Sequence, residues 1–408
     1  MTEIMTSVPP NDLVNTDVAV ARFGDVGRVW LEAMWLGDDL ADAVVNDDFS
    51  GTSASSATEA VWTALADGVR AMPDAPRSLQ DLFTFLDTEP DWVDHERLDR
   101  AADALIRHTA ALGIVLGAAS LVRGACNTIA GKPLALTGRY VSQPAIRSVE
   151  VGEWLRNVIT PGGMRRGGDG FAYTVRVRMI HAHVRRALRD LEVWDQAAWG
   201  VPIPQPYMAF TLAEFGHIAI DAMHKLGVRF TDRELADIYH LWRYVGHVVG
   251  MDERLNPVSE SDQIRIEELY RLTSPGPGED DRDFVVALTD DYLIPELANA
   301  LPGPQRIRHA AASMLMRSLQ RVFIGDDAAD ELHIPDGRLK HVVGRVGPLL
   351  AVAARVRLAV AGDPDRLTRS AYLARDEDMD RMRAAYRVTH DLVDNAPPTP
   401  LRAAAGRG

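Results

Sequence analysis

Apolar residues along this chain return mostly at three- and four-residue intervals, the period of one helix face, and the alternation that marks strands is scarce. On that pattern helices are expected over 30–45, 58–72, 79–86, 94–125, 143–159, 172–191, 211–226, 232–249, 260–272, 284–301, 305–323, 339–361 and 376–392. Ser78 with Asp81 reads as a capping signal for the third of these, and Thr211 with Glu214 as a capping box for the seventh. Pro90-Asp91-Trp92 breaks the chain. The glycine-rich stretch 161–170, PGGMRRGGDG, reads as a flexible loop and lacks the spacing of a phosphate loop. Residues 274–281, SPGPGEDD, are the best linker candidate, and no repeat of fixed period is present. The expectation is an all-α fold, a single large multi-helix domain over 21–394 with irregular, globin-like packing. A flexible segment 1–20 precedes it and a disordered tail 395–408 follows.

The helix over 172–191 carries the candidate chemistry. Val177, Ile180, Val184, Leu188 and Leu191 share one face, and His181 falls among them. At about 100° per residue, Arg178 and Arg185 lie within roughly 60° of His181, above and below it. His183 points the other way, beside Arg176, Arg186 and Asp190. One inward imidazole between two guanidinium groups suits a metal ligand next to an anionic ligand edge, and haem with its propionates is the candidate. The plainer reading is a core histidine bonded to a backbone carbonyl on an arginine-rich, solvated helix.

Composition narrows the choice. The formal charge of −14 argues against a general binder of nucleic acid or anionic membranes. The single cysteine, Cys126, excludes a disulfide framework, a thiolate zinc site, an iron–sulfur cluster and covalent haem attachment. No secretion signal is visible at the N-terminus, and the most apolar run, 109–122, is too short for a stable membrane span. A cytoplasmic location is expected. Trp154, Met179, Met314 and Met316 read as core filler.

Several short motifs then resemble the haem-dependent rubber oxygenase (latex-clearing protein) and MpaB catalytic-domain family. In order they are Pro90-Asp91-Trp92-Val93-Asp94; Leu136-Thr137-Gly138-Arg139; Arg147 ahead of Trp154; Arg178-Met179-Ile180-His181-Ala182-His183-Val184-Arg185; Trp199-Gly200 with Pro204-Gln205; and Leu241-Trp242-Arg243-Tyr244-Val245-Gly246-His247 with Gly250 and Leu255-Asn256-Pro257. The resemblance implies a non-covalent haem b, an all-α core, and O₂-dependent oxidation of carbon–carbon double bonds in a hydrophobic, isoprenoid- or lipid-like molecule. It makes His181 the axial iron ligand, Arg178 and Arg185 its flanking arginines, and Arg147 the distal arginine that polarises bound O₂. His240 and His247 match family histidines to which no role is given.

One departure bears on the chemistry. Where latex-clearing proteins read Arg-x-x-Lys-Thr, this chain has Arg147, Glu150 and Val151, and a carboxylate cannot replace an amine as a cap on iron. Glu150 either supports Arg147 at i, i+3 or acts as base on an allylic proton. With no secretion signal, rubber itself is not the expected substrate. Two alternatives stay open: a haem or O₂ sensor or carrier without turnover, and a non-haem di-iron oxidase, for which Glu214-Phe215-Gly216-His217 supplies one Glu-x-x-His.

Overall fold

The computed structural model describes residues 8–47, 49, 56–136, 143–191, 193–342 and 364–388. The turn Thr137-Gly138-Arg139, most of the helix expected over 339–361, and the tail 395–408 lie outside the described residues. Within them every regular element is helical. The α-helices in chain order are α1 (Thr16–Phe23), α2 (Asp25–Glu32), α3 (Asp39–Asn46), α4 (Ala57–Asp67), α5 (Arg77–Asp87), α6 (His95–Ile106), α7 (Thr109–Val115), α8 (Val122–Gly124), α9 (Thr128–Leu136), α10 (Pro144–Val158) and α11 (Asp169–Arg189). They continue with α12 (Gln196–Trp199), α13 (Gln205–Ala213), α14 (Ala219–Lys225), α15 (Asp232–Val248), α16 (Glu260–Thr273), α17 (Glu279–Leu288), α18 (Ile294–Ala300), α19 (Gln305–Ile324), α20 (Asp326–Glu331) and α21 (Pro364–Ala385). Among the described residues no single helix is long and apolar enough to cross a bilayer.

The chain divides into two compact units, each built from three segments. The first takes Met1–Ala102, Trp154–Leu212 and Ala236–Thr273; the second takes Asp103–Glu153, Ala213–Leu235 and Ser274–Gly408. Only the last crossing, at 273/274, coincides with a break legible in the sequence, the SPGPGEDD stretch.

In the first unit α11 packs on α3, α3 on α5, α5 on α4, and α1 on both α2 and α16. The helix expected over 30–45 is interrupted here. Leu36 is extended and Asp38 caps α3, its side chain accepting from the Ala41 N–H. Residues 8–20, read from sequence as a flexible lead-in, are tied down: Asn11 and Asp12 donate to the Ala197 and Ala198 carbonyls, and Ala19 is buried. The 161–170 loop is likewise packed rather than loose. A Cβ on Gly163 would collide with the Asn157 carbonyl, and Asp99 accepts from the Gly162 N–H at 2.7 Å and from Arg165 at 2.7 Å. Gly163, Gly168 and Gly170 serve close backbone approach, while Gly162 and Gly167 take positive φ.

In the second unit three π-helical segments interrupt the α-helical runs, at Leu116–Leu121, Glu214–Ile218 and Thr289–Leu293. The first packs on the other two. Polar side chains bond at these segments: Ser120 Oγ donates to the Glu214 backbone carbonyl at 2.6 Å, and Gln320 Nε2 to the Thr289 hydroxyl at 2.8 Å. The capping box expected at Thr211 and Glu214 is not formed. Its helix starts earlier, at Gln205, so Thr211 is interior and donates back to the Tyr207 carbonyl at 3.0 Å. The expected 94–125 helix breaks at His108, whose φ of −124° leaves the helical region.

Candidate active site

α11 sets the geometry of the candidate site. Its buried stripe runs through Phe171, Thr174, Val175, Arg178, Met179, Ala182, Arg185 and Leu188. Ile180, placed on the inner face by the sequence pattern, is 45 % exposed. The stripe is turned because α11 buries Arg178 and Arg185 at its centre and leaves Ile180 outside. Both find carboxylates on the region of α3.

Arg178 donates to Asp38 through Nε at 2.7 Å and Nη2 at 2.9 Å, and through Nη1 to the Val248 carbonyl at 3.3 Å. The side chains are 2 % and 4 % exposed. In this fork-to-fork pair every guanidinium nitrogen is engaged and both side chains are out of water. Residues of the later motifs close around it. Gly250 (φ 88°) leaves no room for a Cβ, which would stand 2.6 Å from Arg178 Nε and closer still to Asp38. Gln205 donates to the Gly37 and Gly250 carbonyls at 2.7 and 3.0 Å and accepts from the Asp252 N–H at 2.8 Å. Asn256 Nδ2 donates to the Arg243 carbonyl, and its Oδ1 occupies the space a Cβ on Gly246 would need. Gln205, Gly246, Gly250 and Asn256 together lock the chain around the Arg178–Asp38 pair.

Arg185 is bonded differently. Its Nε donates to Asp42 at 2.8 Å, while Nη1 and Nη2 are buried and have no hydrogen-bond partner. Burial pushes the Asp42 carboxyl up in pKa, and the neighbouring Arg185 only partly opposes it. His181 lies on the edge of the stripe, about 40° round the helix from Arg185 and about 60° from Arg178. It is half-buried, with Nδ1 shielded from solvent. His183 is half-buried as well, its Nε2 3.3 Å from Thr58 Oγ1; burial, then Arg186, lower its pKa. The inward–outward contrast expected for the two imidazoles is therefore not one of exposure. They flank opposite edges of the same buried stripe.

The two histidines without an expected role sit in an aromatic cluster of this unit. His247 stacks on Phe85 at 4.6 Å and donates from Nδ1 to Glu253 at 3.2 Å; Phe85 in turn carries the Arg178 guanidinium at 4.9 Å. His240 meets the Trp92 ring edge-on, and its Nε2 accepts the Asp94 N–H at 3.1 Å. Asp94 caps α6 by accepting from the Glu96 and Arg97 N–H groups. Burial, with Arg97 next, pushes His240 down to about 4. Arg243 lies over the Trp92 ring, 3.8 Å from its centroid.

Arg147 and Glu150 lie on the part of α10 that belongs to the second unit, and both are half-buried. The same helix enters the first unit at Trp154, whose Nε1 donates to Thr174 on α11 at 3.1 Å. Among the described residues no three His, Cys, Asp or Glu side chains gather as a metal cluster. Asp237 and His240, a near relative of the Glu-x-x-His pattern, are committed elsewhere: Asp237 accepts from Arg97 and Arg100, each at 2.8 Å. Sequence reasoning missed Asp38 and Asp42. Their four-residue spacing without a basic partner on α3 was the available signal, since each needs its cation from another helix.

Residues 105–358 match the family model described as ER-bound oxygenase mpaB/B'/Rubber oxygenase, catalytic domain. The chain belongs to that family. It is similar to the rubber oxygenase of Streptomyces sp. (strain K30), 24 % identical over 265 residues that make up 63 % of this chain and 60 % of the relative's length. The chain thus spans less than two thirds of that relative. Its fold is similar to that of latex clearing protein LCP in the closed state, with a TM-score of 0.61 and 17 % identity over 84 % of this chain and 91 % of the other. The family match begins after Asp38, Asp42 and Pro90-Asp91-Trp92, and it includes α10, α11, α13 and α15.

Proposed function

We propose that the chain is a haem-b-dependent oxygenase acting on carbon–carbon double bonds of a hydrophobic, isoprenoid- or lipid-like molecule, with His181 as the axial ligand. Membership of an oxygenase family supports the reaction class. The observation that carries the cofactor is local: a shielded imidazole nitrogen on α11, one turn from a buried guanidinium with two unused donors.

The residues fit haem b with one amendment to the pattern read from sequence. Arg178 has all three of its nitrogens engaged, with Asp38 and Val248, and its fork is already taken by a carboxylate. Arg185 keeps Nη1 and Nη2, the geometry that receives a carboxylate in bidentate fashion. The two arginines therefore divide the work, Arg178 bracing α11 and Arg185 facing the anionic edge. When bound, haem b would supply the reversible O₂-binding iron that the protein's side chains lack. His181 would hold the iron through one ring nitrogen. Arg147, a fixed cation, is assigned to polarise O₂, worth a few kcal/mol at the transition state in a dry site. Glu150 is assigned as the base for an allylic proton. Anaerobic and aerobic incubation with an unsaturated isoprenoid tests the reading: O₂ consumption matched by carbonyl product is expected. O₂ binding without consumption would make the protein a carrier instead.

A further inference from the structure

α19 has two apolar faces. Ala312, Met316, Leu319 and Phe323 are buried and hold the helix to the second unit. On the opposite side of its first half, Ile307 and Met314 are 65 % and 62 % exposed, with Ala310 and Ala311 exposed between them. Met314, which the sequence pattern made core filler, belongs to this outer stripe. At about 100° per residue, Met314, Ala311 and Ala310 lie within roughly 60° of Ile307 round the helix. Arg306 and Arg308 stand about 100° to either side of it, so guanidinium groups rim the stripe on both edges. Pro302-Gly303-Pro304, all exposed, leads into this half of the helix.

From Leu297 to Gly325 the chain has no Asp or Glu to neutralise its arginines locally. Among the described residues Arg306 and Arg308 form no ion pair. Arg317 and Arg321 are already bonded, to Asp290 and to Asp326 and Asp330. Within this stretch the arginines outside ion pairs are therefore the two at the rim of the outer stripe.

We infer that this half of α19 docks on an anionic lipid surface. An apolar stripe with cations at its edges is the arrangement of a helix lying in a membrane interface: aliphatic side chains enter the acyl boundary while guanidinium groups meet lipid phosphates. Two large apolar side chains and two arginines make a weak, reversible anchor sensitive to salt. Docking would bring the protein to lipid-dissolved molecules, the class proposed as substrate, but it stands on the α19 surface alone.

The test is flotation of the full chain with vesicles of phosphatidylcholine alone and with roughly one-third phosphatidylglycerol. Binding to the anionic vesicles is expected, with loss on neutral vesicles and at about 1 M salt. Both Ile307→Asp/Met314→Asp and Arg306→Glu/Arg308→Glu should weaken binding at least about tenfold, with unchanged circular dichroism because every altered side chain is exposed or half-exposed. In an Ile307→Trp variant, the new indole should shift to the blue on anionic vesicles. Equal binding to both vesicle types, wild-type binding by the variants, or no indole shift would overturn the inference. So would a self-associated wild-type chain that dissociates on Ile307→Asp and ignores vesicles, which would make the stripe a contact between two copies.

Discussion

Arg178 on α11 grips Asp38 ahead of α3 through two hydrogen bonds of 2.7 and 2.9 Å, with both side chains almost wholly out of water. Replacing Asp38 by Ala would strand a buried guanidinium, and breaking such pairs costs about 3–5 kcal/mol. Urea unfolding should show that loss. A change below about 1 kcal/mol would mean the pair is solvated and worth what a surface ion pair is worth.

Gly250 protects the same pair. An Ala there meets Arg178 Nε and Asp38 and must adopt a φ of 88°. Overpacking of this kind costs about 1–3 kcal/mol, and the left-handed backbone adds about 1–2 kcal/mol. Gly250→Ala should therefore destabilise the chain, and should cost less in an Asp38→Ala background than in the parent. Strict additivity would argue against a shared contact.

His240 gives stability a pH dependence. Its ordinary pKa of 6.5 falls to about 4 on folding, because burial disfavours the charged ring and its Nε2 must stay unprotonated to accept the Asp94 N–H. Between these values the unfolded chain binds the proton and the folded chain does not. The contribution is intact above about pH 6.5 and declines as pH falls towards 4, at up to about 1.4 kcal/mol per pH unit. Gln at position 240 can still accept the N–H but does not titrate. Thermal unfolding at stepped pH should show a shallower acid slope in His240→Gln; identical slopes would assign the effect to other groups, such as His183 or His247.

Most helices were legible in the sequence, because a helix buried on one side repeats its apolar residues every three to four positions. α11, α15, α16 and α19 have nearly the bounds their periodicity gives. What was not legible were the features set by distant partners. Ile180 is exposed and Arg178 wholly buried because α3 presents Asp38 and Asp42, which lie some 140 residues away in sequence. The π segments keep helical periodicity and so look like plain helix. In the candidate site the imidazole-bearing helix and its motif could be found, whereas the difference between an Arg178 with every nitrogen engaged and an Arg185 with two nitrogens unused needed coordinates.

Arg147→Ala provides a check on the proposed chemistry that leaves the cofactor alone. Haem content, read by absorption, should match the parent chain, while turnover of an unsaturated isoprenoid should fall about 10²-fold or more, the usual cost of one preorganised donor. Undiminished turnover would remove Arg147 from the reaction.

Arg185 makes a second, non-kinetic check. Arg185→Gln keeps bulk but gives up the two unused donors, and it should weaken haem retention on dialysis more than Arg178→Gln weakens it at equal folded fraction. The reverse order would return the anionic edge to Arg178.

The most direct measurement is the visible absorption spectrum of the chain purified from haem-supplemented cells, taken beside its His181→Ala and His183→Ala variants. A Soret band in the parent and in His183→Ala, absent from a folded His181→Ala, is expected. A folded parent chain without the band, or one that loses it with His183 and keeps it without His181, would contradict the assignment of His181 to iron.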